Sequence, residues 1–221
     1  MSIAVSLLYA VLVLFSVSLN FFDPFTGVGI AKALPTAVLT AFAYGATRDR
    51  FGFWVTGGIA LGCAGDFFLA SMSKDWFLHG LGAFLLGHLC YLRAFTRDLH
   101  GTPGNRRFLL IACAALALLT AGSAWRLTAT DHAILAAPVL VYGALLGVFM
   151  AVCVLHRSVT PWIGVGAVIF VISDAHIALN HMLLAAPTLP VTLSGYTLYY
   201  GSQYLIVRGA ALETRAHHPS D

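Results

Sequence analysis

Asp66 and Asp174 stand inside long apolar runs, and each lies in the same local pattern of small residue, Asp, two residues, Leu or Ile, Ala. These are Gly65-Asp66-Phe67-Phe68-Leu69-Ala70 and Ser173-Asp174-Ala175-His176-Ile177-Ala178. A carboxylate near the middle of a bilayer helix costs about 2.5–3.5 kcal/mol even on lenient insertion scales, so such a residue calls for a function and a partner. Two carboxyl groups in an apolar setting can divide labour, one keeping its proton as a general acid and the other serving as base or anion. Lys32, His88, Tyr91, Tyr142, Tyr196, Tyr200 and Gln203 are the polar side chains placed to join them.

The elements that must position these residues are membrane helices. Hydrophobic residues make up 59% of the 221, charged residues only 10%, and mean hydropathy is +0.86. Soluble domains carry charge on about a quarter of their residues, so this is an all-α, polytopic membrane protein. Eight runs are long enough to cross a hydrocarbon core of about 30 Å. They lie near residues 2–21, 27–46, 51–72, 76–93, 107–125, 132–154, 161–183 and 187–207, within one integral membrane domain spanning 1–221. Trp54, Trp76, Trp125 and Trp162 fall at segment ends, where an aromatic belt places them.

Charge sets the orientation. With the N-terminus in the cytoplasm, one side receives Arg48, Arg50, Arg93, Arg97, Arg106, Arg107, Arg157, Arg208 and Arg215, and the other only Lys74 and Arg126. This positive-inside bias puts both termini in the cytoplasm, fits a bacterial cytoplasmic membrane, and accounts for the net charge without nucleic acid as a partner. The first segment lacks the basic front and small-residue cleavage site of a secretory signal, and residues 208–221 read as a flexible cytoplasmic tail. Cys63, Cys90, Cys113 and Cys153 all fall within helices without CxxC spacing, which argues against a disulfide framework or zinc site. No cofactor, metal or obligate protein partner is expected.

Depth arithmetic at 1.5 Å per residue sets Asp66, Asp174 and Lys32 at similar levels, roughly 20 Å from the cytoplasmic side, where they can meet in one pocket. The i, i+3, i+4, i+7 rule puts Gly80, Phe84, Gly87, His88 and Tyr91 on one face of the fourth helix, and Tyr196, Tyr199 or Tyr200, and Gln203 on one face of the eighth. Tyr142 falls near the midplane. Simpler readings stand beside this one. Lys32 is five residues from a helix end and can snorkel to the headgroups; either aspartate can be a hydrogen-bonding glue between helices; His88 can be a satisfied interhelical donor. His176 faces away from Asp174, and His181 shares its face but lies near the outer end. Gly57, Gly58, Gly62 and Gly65 read as a close-packing surface.

The second aspartate motif follows the first by 108 residues, and the same offset carries His88 onto Tyr196 and Lys32 onto Leu140, two residues from Tyr142. A parallel four-plus-four internal repeat would produce this.

Taken in order, Lys32 with Pro35, GDFFL at 65–69, FLLGHLCY at 84–91, Tyr142 with Met150, GAVIFVISDAHIA at 166–178 and YYGSQ at 199–203 resemble the YhhN family of eight-helix membrane proteins, which includes lysoplasmalogenases. The resemblance runs from about Gly27 to Val207. Two departures stand out: Pro35 comes three residues after Lys32 rather than directly after it, and Leu61-Gly62-Cys63-Ala64 replaces a Phe-Ser before the first Gly-Asp.

The resemblance implies hydrolysis of the vinyl ether bond of a lysoplasmalogen, a lysophospholipid taken from the bilayer, to a fatty aldehyde and a glycerophospho-alcohol. In that role Asp66 and Asp174 are the catalytic pair. Lys32 holds phosphate or biases the pair, and His88, Tyr91, Tyr142, Tyr196, Tyr200 and Gln203 position substrate and water. The rival class is a proton- or ion-coupled transporter, which also carries intramembrane Asp, Lys and His. Its repeats would more typically be inverted and its helices interrupted.

Overall fold

In the computed structural model, residues 1–23, 25–47, 49–71, 76–97, 99–130, 133–178 and 188–217 are described. They form eight α-helices: α1 Ile3–Ser18, α2 Val28–Ala46, α3 Arg50–Ala70, α4 Phe77–Phe95, α5 Pro103–Thr128, α6 Ala136–Leu155, α7 Trp162–Ala178 and α8 Leu189–His217. Short 3-10 turns at Leu19–Phe21 and Ala133–Leu135 follow α1 and precede α6. Among the described residues no strand forms, and an isolated bridge pairs Leu99 with His156. Arg48, Lys74 and His181 lie outside the described residues.

Local chemistry explains where the helices begin. Side-chain oxygens of Ser2, Asp49 and Thr102 accept from the backbone N–H of Val5, Gly52 and Asn105, capping α1, α3 and α5. Pro103 opens α5, where its missing N–H costs nothing. The Gly101-Thr102-Pro103-Gly104 stretch is thus a cap and first turn. Gly27 enters α2 at φ 95°, a left-handed conformation that glycine adopts without strain.

Among the described residues, five helices are long and apolar enough to cross a membrane, with spans Ile3–Phe21, Val28–Ala46, Arg50–Ala70, Pro103–Thr128 and Ala133–Leu155; Trp162–His176 is a shorter apolar helix. The polarity of the molecule is inverted relative to a soluble protein. Leu14 is 71% and Leu118 76% exposed, whereas Lys32, Thr36, Asp66, His88, Ser173, Ser202 and Gln203 are buried. Such a surface needs a lipid surround.

The two most extensive helix pairs are α3 with α4 and α7 with α8. Small residues make them possible. A Cβ at Gly65 would sit 2.7 Å from the Phe84 ring, one at Gly87 would sit 3.0 Å from the Gly58 carbonyl, and Gly166 meets Ile206 and the Ser202 carbonyl in the same way. Of the glycines expected to form a packing surface, Gly58 and Gly65 do so against Tyr91 and Phe84. The core centres on Leu39, Val55, Ile59, Phe149, Phe170 and Ile206.

The C-terminal boundary differs from expectation. Helix α8 continues past Val207 to His217, where a flexible tail had been expected, with Ala210, Ala211 and Glu213 buried. Its last turns are held from α6 and the connection after it. His156 Nε2 lies 2.9 Å from Glu213 Oε1, and Ser158 Oγ donates to Glu213 Oε2 at 3.0 Å. The other imidazole nitrogen of His156 donates to the Arg97 carbonyl at 3.0 Å, which ties in the segment after α4.

Candidate active site

Pro35 shapes the site before any titratable group does. It lies inside α2 and has no N–H, so the carbonyl of Ala31, four residues earlier, loses its helical donor. In an apolar surround that carbonyl must be satisfied from elsewhere. Ser16 of α1 supplies the bond, Oγ donating at 3.1 Å. The next two carbonyls are also met by side chains: Lys32 O accepts from the Tyr200 hydroxyl at 2.7 Å, and Ala33 O is 3.0 Å from Thr36 Oγ1 and 3.5 Å from Cys63 Sγ. One turn of α2 is therefore stitched to α1, α3 and α8.

That turn presents Lys32 and Thr36, four residues apart, on one inward face. Lys32 is buried. Its Nζ donates to Asn20 Oδ1 at 2.7 Å and sits 4.2 Å from the centre of the Tyr196 ring, a cation–π contact. Thr36 Oγ1 is hydrogen-bonded to Asp66 Oδ2 at 2.6 Å. Lys32 and Asp66 lie within electrostatic reach of each other. The buried Tyr199 hydroxyl faces the same carboxyl group.

Asp174 belongs to a second cluster. The Tyr142 hydroxyl of α6 donates to Asp174 Oδ2 at 2.7 Å. Beside it, Ser173 Oγ donates to the Gly195 carbonyl at 2.9 Å, fixing α7 against α8. The ring of His88 packs edge-on against Tyr142, Phe149 and Phe170 at centroid distances of 5.8, 4.7 and 4.8 Å. His88 Nδ1 is 2.7 Å from the Phe84 carbonyl. A carbonyl only accepts, so Nδ1 carries the hydrogen and Nε2 is a bare acceptor, buried and without a partner.

Aromatic rings join the clusters, with Phe170 touching both His88 and Tyr199, the latter at 5.6 Å. Tyr91 donates to Gln203 Oε1 at 2.7 Å across the space over Gly58. The sequence-derived residues thus converge as two adjoining groups: Asp66 with Lys32, Tyr196 and Tyr200, and Asp174 with Tyr142 and His88. The two carboxyl groups bond to hydroxyls of different helices and not to each other. His176 bonds to the Ile172 carbonyl of its own helix. Among the described residues, no three His, Cys, Asp or Glu side chains are arranged to hold a metal.

Sequence reasoning missed Thr36, Ser16 and Asn20, and left Tyr199 as an alternative to Tyr200. On the outer face of α2 and α3 runs an apolar groove of about 420 Å³, floored by Ala33, Ala37, Ala60, Cys63 and Ala64 and walled by Leu34 and Phe67. Ala60 also lines a second groove, of about 620 Å³, near Thr47 and Asp49.

The YhhN family pattern matches residues 29–210, most of the chain and all of the site except Ser16 and Asn20. The chain belongs to the YhhN family. Among its relatives, proteins named lysoplasmalogenase in Mycobacterium bovis and Mycobacterium tuberculosis are each 32% identical over 182 residues, covering 80% of this chain and 68% of theirs. A lysoplasmalogenase of Mus musculus is 29% identical over 181 residues, 82% of this chain and 74% of its own. No solved structure matches the chain. Both small-Asp motifs and the Gly87-His88 step fall within the family match.

Proposed function

We propose that this protein is a membrane-embedded lysoplasmalogenase-like hydrolase that cleaves the vinyl ether bond of alkenyl lysophospholipids. The observation that carries the reading is the similarity to proteins of that name across about four-fifths of the chain. The two buried clusters supply groups suited to the chemistry. Vinyl ethers are not opened by attack at a carbonyl. A carboxylic acid first gives its proton to the alkene carbon not bonded to oxygen, leaving an oxocarbenium ion at the carbon that is. The second carboxylate stabilises that cation and takes a proton from the water that adds to it. The resulting hemiacetal releases the glycerol oxygen as an alcohol and becomes the aldehyde, and the proton taken from water restores the acid.

Asp66 and Asp174 fill the two carboxyl roles. Lys32 biases Asp66 or holds phosphate, while His88 Nε2, Tyr142 and the Tyr91–Gln203 pair position water and glycerol; Tyr196 and Tyr200 hold the Lys32 turn in place. The α2–α3 groove takes the single alkenyl chain from the bilayer, since the carbonyl of Ala33 in its floor accepts from Thr36 as well as from Cys63. No cofactor enters this scheme.

In the same reading the chain crosses a bacterial cytoplasmic membrane eight times, with both termini in the cytoplasm, as two parallel four-helix halves. Several features support the halves. Asp66 takes its hydroxyl partner from α2 and Asp174 from α6, α2 packs on α8 as α6 packs on α4, and Trp54, Gly58, Gly87 and Tyr91 recur at the motif offset as Trp162, Gly166, Gly195 and Tyr199.

Asp66→Asn and Asp174→Asn are each expected to lower aldehyde release by about 10²- to 10⁴-fold while the thermal unfolding of both variants in detergent stays near wild type. Near-normal turnover in either variant overturns the paired-carboxylate reading.

A further inference from the structure

Resting on that hydrolase reading, the end of α1 and the opened turn of α2 define where the phosphate of the substrate sits. The Lys32 ammonium has three hydrogens and no acceptor. Asn20 Oδ1 takes one at 2.7 Å, and the Tyr196 ring lies beside Nζ at 4.2 Å. Both partners are neutral. The amide orientation is fixed by its surroundings. Asn20 Nδ2 donates to the Val17 carbonyl at 2.9 Å, and a flipped amide would set donor against ammonium and acceptor against carbonyl. Among the described residues the ion pair is His156 with Glu213, and the carboxyl group nearest in charge to Lys32, that of Asp66, bonds to Thr36. A buried cation with only neutral contacts is costly unless an anion reaches it. Lys32 is thus held in place with its charge uncancelled and a hydrogen still to give.

Depth and register point to the anion. Helices α1 and α2 each have the length and apolarity to cross a membrane, and Asn20 lies in the turn that ends the first span, at headgroup level. Lys32 is about one turn into α2 from that same end. Thr36 follows four residues later, about 6 Å along the axis, and holds the Asp66 carboxyl group. In an alkenyl lysophospholipid the vinyl ether carbon and the phosphorus are separated by the three glycerol carbons and two flanking oxygens, a span of the same order. We infer that Lys32, positioned by Asn20, binds the phosphate of the lysophospholipid, with glycerol along the Lys32–Thr36 step and the reacting bond at Asp66. Asn20 is a positioning residue. It fixes the ammonium without neutralising it, which a carboxylate in its place would do. Ser16, one turn before Asn20, donates to the Ala31 carbonyl and docks the end of α1 on the same turn of α2.

Binding without turnover tests this. A saturated 1-O-alkyl lysophosphocholine has no alkene carbon to protonate, and the 1-O-alkylglycerol of the same chain length lacks only the phosphocholine. Purified wild-type protein in non-ionic detergent should bind the first about tenfold more tightly, the magnitude of one hydrogen bond to a charged group. The phosphoethanolamine lipid should show the same preference. It should disappear in Lys32→Met and in Asn20→Asp. The second variant is nearly isosteric and gives Lys32 an anion from the chain itself. If Asn20 had only a structural role, that change would tighten the contact and leave headgroup selectivity alone, so it decides the matter even where Lys32→Met fails to fold. No preference in wild type, a preference kept in either folded variant, or inorganic phosphate binding as tightly as the lysophospholipid overturns the assignment. Aldehyde release from the alkenyl lipid, measured on the same wild-type sample, separates the two claims. Turnover without the preference rejects the phosphate site alone, and the preference without turnover rejects the hydrolase reading while leaving the phosphate at Lys32.

Discussion

At the scale of single residues, the site is a set of buried polar groups of which each carboxyl has one firm partner. Lys32 is the sharpest example. Its ammonium is held by one side-chain oxygen and one ring face, so its charge acts on Asp66 from a fixed place rather than from a mobile surface position. Lys32→Met keeps the stem over Tyr196 and removes the charge. It is expected to lower single-turnover aldehyde release by about 10²-fold, the magnitude typical of losing one electrostatic stabiliser, with little change in melting temperature. The carboxylates and Lys32 were legible in the sequence because a charge in an apolar run has few structural explanations. Thr36 was not. Hydroxyls in membrane helices commonly bond to their own backbone, as Thr40, Thr47 and Thr120 do here, so residue type alone does not mark the one that reaches a carboxyl group. Asn20 lies in a turn ahead of α2, and neither spacing nor periodicity connects it to Lys32.

At the scale of elements, α2 and α8 do the positioning by different means. Helix α2 is opened by Pro35 and closed again by side chains from its neighbours, and that exchange brings Tyr200 and Lys32 together. Helix α8 is anchored at its far end by the His156–Glu213 pair just beyond the span of α6. Burial alone would push the His156 imidazole down. The hydrogen bond and charge of Glu213 and the carbonyls of Arg97 and Phe95 outweigh it and lift His156 above the ordinary histidine value. A group raised in the folded state stabilises fully below its unfolded value of about 6.5 and loses that contribution as pH rises through the folded value. The melting temperature in detergent should therefore fall as pH is raised through that window, and His156→Gln should flatten the dependence; an unchanged profile in the variant removes His156 as its source. Most helix positions were readable because apolar length is a direct requirement of spanning. The end of α8 was not, since beyond Val207 its apolar run breaks at Arg208 and its order comes from contacts with segments about fifty residues earlier.

At the scale of the whole molecule, a lipid-facing apolar exterior encloses a polar interior in which two half-sites face one another across shared aromatic rings. The arrangement matches substrate and solvent in a particular way. In the proposed reaction a single-chain lipid reaches the α2–α3 groove from the bilayer, and the carboxyl groups work where bulk water does not compete for their protons. A protein built this way should discriminate by bond type, because protonation at carbon opens a vinyl ether and does nothing for an ester. The direct measurement is product release by the purified, detergent-solubilised protein from an alkenyl lysophospholipid and from the acyl lysophospholipid of the same chain length. Fatty aldehyde from the alkenyl lipid, with no fatty acid from the acyl lipid, is the predicted result. Well-folded protein that leaves the alkenyl lipid intact contradicts the account and turns the two aspartates into candidates for a proton or ion relay.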